Sequence, residues 1–348
     1  MIVRAFHRRN AIVSIAVVLL VACSGVNGSG SPSPSVSAPA SASATLVPSP
    51  TKEPVPAWLS SVNGQQIHAE PFGDWVIVAF HRAWVLGVGL GIGVYDVTTG
   101  EATGTISLDG ETCAAPDDGF GSLWVPTCGQ GVVDRVDPET GEVVAKIRIA
   151  PSDFTETSIG AGEGGVWIVA DGETCLGCIL VRIDPDRDRV DAKYDIPKHG
   201  TAVRAGLGGI WISYPDTDEV LRVDPATGRV VARIGVGDEP RFLDVGLGGV
   251  WVMNQFDGSV SHIDPKTNRV VDTIEIDDSG ISGGDLTIGE GSVWVRASLE
   301  LVAVIDPEKG RVVRRIGPSL GSGSASAGDG QLWISAHDQQ ALYRIPLG

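Results

Sequence analysis

Positive charge is scarce in this chain of 348 residues: 26 Lys and Arg stand against 43 Asp and Glu, a formal net charge of −17. An acidic chain without a basic cluster is a poor ligand for nucleic acid or for anionic lipid directly, so neither is expected as a partner. Long apolar runs are also missing. The run Ala11 to Ala22 is only about a dozen residues, too short to span a bilayer. No segment sustains the 3.6-residue apolar period of a helix. No Ser-His-Asp or Cys-His constellation can be assigned, and Glu-x-His does not occur. The glycine-rich stretch Gly87 to Gly93 precedes no helix, which excludes a phosphate loop and leaves a hairpin.

What the N-terminus does contain is a processing signature. Arg4, Arg8 and Arg9 precede the short apolar run, the form of a secretory signal. The run ends in Leu20-Val21-Ala22-Cys23, which resembles the lipobox of bacterial lipoproteins. That resemblance implies a signal peptide over 1–22, cleavage before Cys23, and a lipid on Cys23. Residues 23–56 are dominated by Ser, Pro, Ala and Gly and have no charge before Lys52. Such a segment has too little apolar surface to fold and is expected to be a disordered tether, at most about 100 Å long if fully extended. Loss of the signal removes three positive charges and no negative ones, moving the formal charge from −17 to −20. Attachment to the outer face of the cytoplasmic membrane, or to another envelope membrane, is therefore expected through the lipid alone.

Five cysteines leave four once Cys23 is assigned to the lipid: Cys113, Cys128, Cys175 and Cys178. An even number in an exported chain favours disulfides. Of the three pairings, the local one is preferred, Cys113 with Cys128 and Cys175 with Cys178. Cys175-Leu-Gly-Cys178 also has the form of a redox motif or half a zinc site. No second CxxC or nearby His pair completes a metal set, so a structural staple is the expectation.

Residues 57–348 carry a repeat. Trp84, Trp124, Trp167, Trp211, Trp251, Trp294 and Trp333 recur every 39 to 44 residues. A Gly-rich turn precedes them, as in Gly119-Phe-Gly121-Ser-Leu-Trp124. A short apolar segment ending in Asp-Pro follows, as at Asp137-Pro138, Asp224-Pro225 and Asp264-Pro265. Val and Ile fill the segments between, giving about four short strands per unit. Four strands in about 40 residues is the arithmetic of a β-propeller blade. The chain is expected to be all-β, one domain of seven four-stranded antiparallel blades, with each Trp wedged between neighbouring sheets. The seventh unit has only one strand, Ala341 to Ile345, after its Trp. Asn63-Gly64-Gln-Gln-Ile67-His-Ala-Glu70 reads as an orphan fourth strand, and it is expected to complete that blade and close the ring. Asp184-Pro-Asp186-Arg-Asp188 alternates carboxylates but lacks the glycine and distal Glu of a calcium loop, and is read as a lengthened turn.

These motifs resemble the YVTN-type and virginiamycin B lyase-like propellers of bacteria, over essentially all of residues 63 to 348. The resemblance implies the fold, and a range of roles from binding scaffold to lyase. A propeller site would be assembled from loops of different blades around the channel. The phase of the repeat nominates His199, Arg241 and Asp285 from the connections between blades, and Tyr214, Asn254, Arg296 and His337 from the segments after each Trp. Arg and His there could receive a carboxylate or phosphate. In the streptogramin lyases a channel metal is held by carboxylate and histidine, and a histidine acts as base. Lys198-His199-Gly200 resembles one His-Gly segment of that group, but Asp238-Glu239-Pro240-Arg241 has Arg where a second His would stand. The expectation is a monomeric, non-enzymatic module that binds an envelope protein or a small extracellular ligand, with no cofactor and no metal. The alternative is a metal-dependent lyase or hydrolase acting in the channel.

Overall fold

The structure is a computed structural model that describes residues 57–68, 73–87, 91–112, 114–127, 130–149 and 157–348. The expected signal peptide, lipidated Cys23 and tether lie outside the described residues, as do Cys113, Cys128 and the tip of the Gly87 to Gly93 hairpin. Seven antiparallel sheets form among the described residues, six built on four consecutive strands and the last on three plus an N-terminal one, the blades of a seven-bladed β-propeller. Their inner strands are Trp75–Ala79, Asp117–Gly119, Thr157–Gly162, Val203–Gly206, Pro240–Gly246, Leu286–Gly289 and Ala325–Gly328, in blades 1 to 7. One addition breaks the fourfold rule. Ala114–Ala115 runs parallel to Thr157 and Ser158, so blade 3 carries a fifth, short strand supplied by the segment leading into blade 2.

The orphan N-terminal strand does close the ring. Gln65–Ile67 lies antiparallel to Ala341–Pro346 as the outer strand of blade 7, with Gln65 opposite Arg344 and Ile67 opposite Leu342. The short helix Ala57–Ser61 precedes it, burying Leu59 completely and setting Trp58 edge-on to Tyr343 at 5.3 Å.

All seven repeating tryptophans sit on second strands and are buried. Each packs into the core shared with the following blade: Trp124 among Ile159, Val166 and Ile168 of blade 3, Trp167 among Val203, Ile210 and Ile212 of blade 4. A buried indole N–H needs an acceptor. In blades 1 to 6 it finds the carbonyl five residues back, at the end of the inner strand, as with Trp124 to Gly119 at 3.0 Å. Trp333 instead donates to Val97 of blade 1 at 3.1 Å, adding a cross-blade bond at the junction where the ring closes.

The turn motifs have distinct jobs. Between inner and second strands two successive residues are left-handed, as at Phe120 (φ 53°) and Gly121 (φ 71°), which matches the twist of a tight hairpin. In the Asp-Pro turns the Asp carboxylate accepts backbone N–H groups two and three residues on, as Asp137 does from Glu139 and Thr140 at 2.8 and 3.0 Å. The turn Asp184 to Asp188 is not lengthened. It has the same five residues as its neighbours, with Asp188 left-handed (φ 51°) where Gly141 and Gly228 stand in other blades. The alternating carboxylates are therefore turn chemistry: Asp184 caps the turn, and Asp188 receives Arg135 of blade 2 at 2.7 Å.

That last contact belongs to a repeated staple. Arg135 lies over Trp124 of its own blade (5.3 Å) and donates to the Pro185 carbonyl of the next. Arg222 lies over Trp211 (5.0 Å) and donates to Pro265 O at 2.6 Å and Asn268 Oδ1 at 2.8 Å. Blade 5 replaces the cation with His262, stacked on Trp251 at 3.9 Å. Arg222→Met is expected to destabilise the protein by about 1–3 kcal/mol, because it strips the blade 5 turn of its donor as well as the cation–π contact. Arg233→Met, which breaks a half-exposed ion pair with Glu219, should cost less than about 1 kcal/mol. Paired urea titrations check this, and equal midpoints for the two variants would remove the staple's role.

Candidate functional site

An open ring exposes the inner edge of every first strand, and backbone groups there need partners. The neighbouring blade supplies many of them. Asp117 Oδ2 accepts from Ala161 N at 2.7 Å, Ser158 Oγ from Val203 N at 2.9 Å, and Asp244 Oδ2 from Ile288 N at 2.8 Å. Ser324 and Ser326 of blade 7 accept from Val76 and Val78 of blade 1 at 2.8 and 2.9 Å. In the reverse direction, Arg204 of blade 4 donates to Ile159 O of blade 3 at 2.7 Å, with its Nε 3.7 Å from Asp244. The polar residues of the inner strands thus stitch one blade to the next.

These strands enclose a cavity of about 250 Å³, walled by Asp117, Asp118, Arg204, Asp244 and Asp285 together with Val, Leu, Ile and Ala side chains. Four carboxyl groups face one guanidinium. Enclosure by protein pushes the carboxyl groups of Asp117 and Asp285 up to about 7; Arg204 opposes the rise and Asp244 adds to it. Asp118 keeps contact with water in the cavity, yet its carboxyl is also raised by enclosure. Asp285 is 7% exposed; its Oδ1 accepts from its neighbour Leu286 N at 2.6 Å, and its Oδ2 has no protein donor among the described residues.

The opposite shift holds at the rim. Backbone N–H groups of Thr99, Thr140 and Lys266 keep Asp96, Asp137 and Asp264 below the ordinary carboxylate range. Two limbs of a stability profile follow. A carboxyl raised in the folded state binds its proton more tightly there than in the unfolded chain, so Asp117 and Asp285 destabilise above about pH 7 and recover as pH falls toward about 4. A carboxyl lowered in the folded state stabilises above about pH 4, and that contribution is lost as pH falls further. The melting midpoint should therefore rise from pH 8 to pH 5, on the order of 5 °C, then fall below pH 4. Asp285→Asn should flatten the upper limb while leaving the lower one. A midpoint unchanged from pH 8 to pH 5 would contradict the enclosed acids.

By strand connectivity the seven nominated residues share the end of the ring that carries the blade-to-blade connections, but they are engaged in separate neighbourhoods. Asp285 alone lines the cavity. The backbone of Arg296 pairs with that of Asp285 (N to O, 2.8 Å), yet its side chain is fully buried and turned into the blade 6–7 junction. There it donates to the carbonyls of Ser335, Ala297, Leu301, Leu320 and Gly321, and burial lowers its pKa to about 10. Tyr214 is buried, donates to Pro197 O at 3.1 Å, and has its phenol pushed above the usual range by that burial. Asn254 is buried inside blade 5, donating to Ser259 and Ser261 at 2.9 and 3.0 Å. Three of the seven remain on the surface. His199 Nδ1 meets Asp216, Arg241 meets Glu239 at 2.6 Å, and His337 lies between Asp74 (3.2 Å) and Asp338 (2.8 Å).

Cys175 and Cys178 stand 5.9 Å apart at Cα and are disulfide-bonded. The loop they close gives its Leu176 and Gly177 carbonyls to the N–H groups of His199 and Gly200, so the staple holds the connection into blade 4. Among the described residues no three His, Cys, Asp or Glu side chains are grouped to hold a metal ion. The channel residues Asp117, Asp118, Arg204 and Asp244 escape a reading by motif, because they come from three separate stretches of chain, in blades 2, 4 and 5. Their one visible signal is charge inside the short inner strands. No protein-family model matches this chain, and no curated protein matches it either.

Proposed function

We propose that this chain is a lipid-anchored, extracytoplasmic binding protein whose propeller takes a small ligand, or the tip of an envelope protein, at its axial cavity without performing chemistry on it. In this reading residues 1–22 are the signal peptide, Cys23 carries the lipid, 23–56 are the tether, and 57–348 are the binding module. The short Trp- and Asp-Pro-containing blades are what supports a kinship with the YVTN-type and virginiamycin B lyase-like propellers in this reading. A seven-bladed propeller fits a binding scaffold, because the rigid ring holds residues from different blades in one place at little entropic cost. The observation that carries the reading is the axial cavity with more carboxyl groups than its single Arg204 can neutralise. Such a site is concave and preformed, with a few convergent polar groups among apolar side chains, the features of a small-ligand pocket.

The test is in-cell cross-linking of the full lipidated chain, followed by mass spectrometry of what is captured and native mass spectrometry of the gently purified protein. Thr287→Trp, which fills a cavity-lining position, is the comparison. Capture or a co-purified mass lost in that variant supports the reading. No captured species in either protein overturns it.

A further inference from the structure

We infer that the axial cavity is a receptor for a compact organic cation, a primary ammonium or guanidinium group on a short alkyl chain, with Asp285 as the anchoring carboxylate. The inference rests on the cavity being the ligand site.

Blade stitching accounts for much of the channel's acid, but not all of it. Asp117 Oδ2 and Asp244 Oδ2 are used on the backbone of the next blade, and Asp244 Oδ1 faces Arg204. Asp285 is different. Its Oδ1 is satisfied by the adjacent backbone, its Oδ2 faces the cavity with no protein donor among the described residues, and the side chain is more than nine-tenths buried. That oxygen is left to the cavity's solvent on a side chain otherwise enclosed by protein, where a docked cation would stabilise its charge. Asp118 adds a further carboxylate to the same wall that no staple consumes.

The wall also says which cation. Its carboxylates come from blades 2, 5 and 6, and no three are grouped at metal-ligand spacing among the described residues. Between them lie Val78, Val245, Leu286 and Ile288, apolar surface suited to methylenes rather than to a hydrated metal ion. Arg204 shows that the wall already accommodates one guanidinium, held between Asp244 and the Ile159 carbonyl. The volume of about 250 Å³ equals about eight waters at about 30 Å³ each, room for a short alkylamine beside residual solvent.

Calorimetry and melting of the full chain with butylammonium chloride and with agmatine test this, against n-butanol, sodium chloride at equal ionic strength, and calcium chloride. The expected result is a rise in melting midpoint with the two amines and none with butanol or sodium. Binding at pH 7 should release protons, fewer at pH 8.5, since the cation displaces them from the acids. Asp285→Asn keeps the acceptor for Leu286 N–H and should weaken amine binding at least tenfold; Asp118→Asn should weaken it by less. The inference falls if butanol binds as well as butylammonium, if Asp285→Asn leaves affinity unchanged, or if calcium binds and the amines do not. If the amines fail while native mass spectrometry finds another occupant lost in Thr287→Trp, the cation inference is wrong and the cavity remains the ligand site. If nothing occupies it, both fall.

Discussion

Deleting residues 57–68 is expected to cost more than about 5 kcal/mol and to end cooperative unfolding of the ring. The segment supplies the outer strand of blade 7, three residues paired in register with Leu342, Tyr343 and Arg344. It also buries Leu59 completely, in the core shared by blades 6 and 7, and Ile67 to 7% exposure, in the core shared by blades 7 and 1. Loss of two such side chains alone is worth about 4–10 kcal/mol on the scale of large-to-small core changes. The deletion also leaves Ala341–Pro346 as a bare edge beside the junction that Trp333 and Val97 hold. A bare edge recruits other chains. The expected outcome is early proteolysis within blade 7 and concentration-dependent association by light scattering. Leu59→Ala, at about 2–5 kcal/mol, is the graded version. A deletion variant that melts like the parent would show that the ring does not need this strand.

Arg296→Met should lower stability by about 3–5 kcal/mol, visible as a shift of the urea midpoint with an unchanged slope. The side chain is fully buried and no carboxylate among the described residues pairs with it; the groups it donates to are all main-chain carbonyls. Those carbonyls belong to the end of the blade 6 second strand, the loop after it, the connection into blade 7, and blade 7 itself. Methionine fills much of the space but leaves them without donors, at about 1–3 kcal/mol for each that water cannot reach. Burial lowers the guanidinium only to about 10, so it is charged at neutral pH and the loss should not depend on pH between 5 and 8. Arg296→Lys should recover only part of the loss, since one ammonium cannot reach a fan of acceptors placed for a planar fork. A cost below about 1 kcal/mol for Met would mean that the carbonyls are satisfied by water.

Arg296 also shows where sequence reasoning reached its limit. An Arg just after a blade tryptophan, at the end that carries the loops, reads as a ligand-facing residue. Its direction was decided by Leu320, Gly321 and Ser335, carbonyls 24 to 39 residues away whose position exists only once blade 7 is docked. Asn254 and Tyr214 were turned inward in the same way, by Ser259 and Ser261 and by Pro197. Conversely, Asp117 and Asp244 look like stray charges in short strands. Their purpose appears only when a neighbouring inner strand presents an unpaired N–H.

The sequence by itself determined the all-β class, the number of blades, the place of each tryptophan and the strand that closes the ring. These follow from local chemistry that repeats: hairpins set by left-handed turn residues, Asp capping its own turn, and apolar strands too narrow to bury themselves. The tertiary structure alone decided the site. A channel belongs to no single repeat; it is the space left when seven edges meet, and its charge balance sums residues from blades that have no local reason to match. Enclosure then raises the Asp117 and Asp285 carboxyls, because removing water from a charge is a property of the ring and not of any segment.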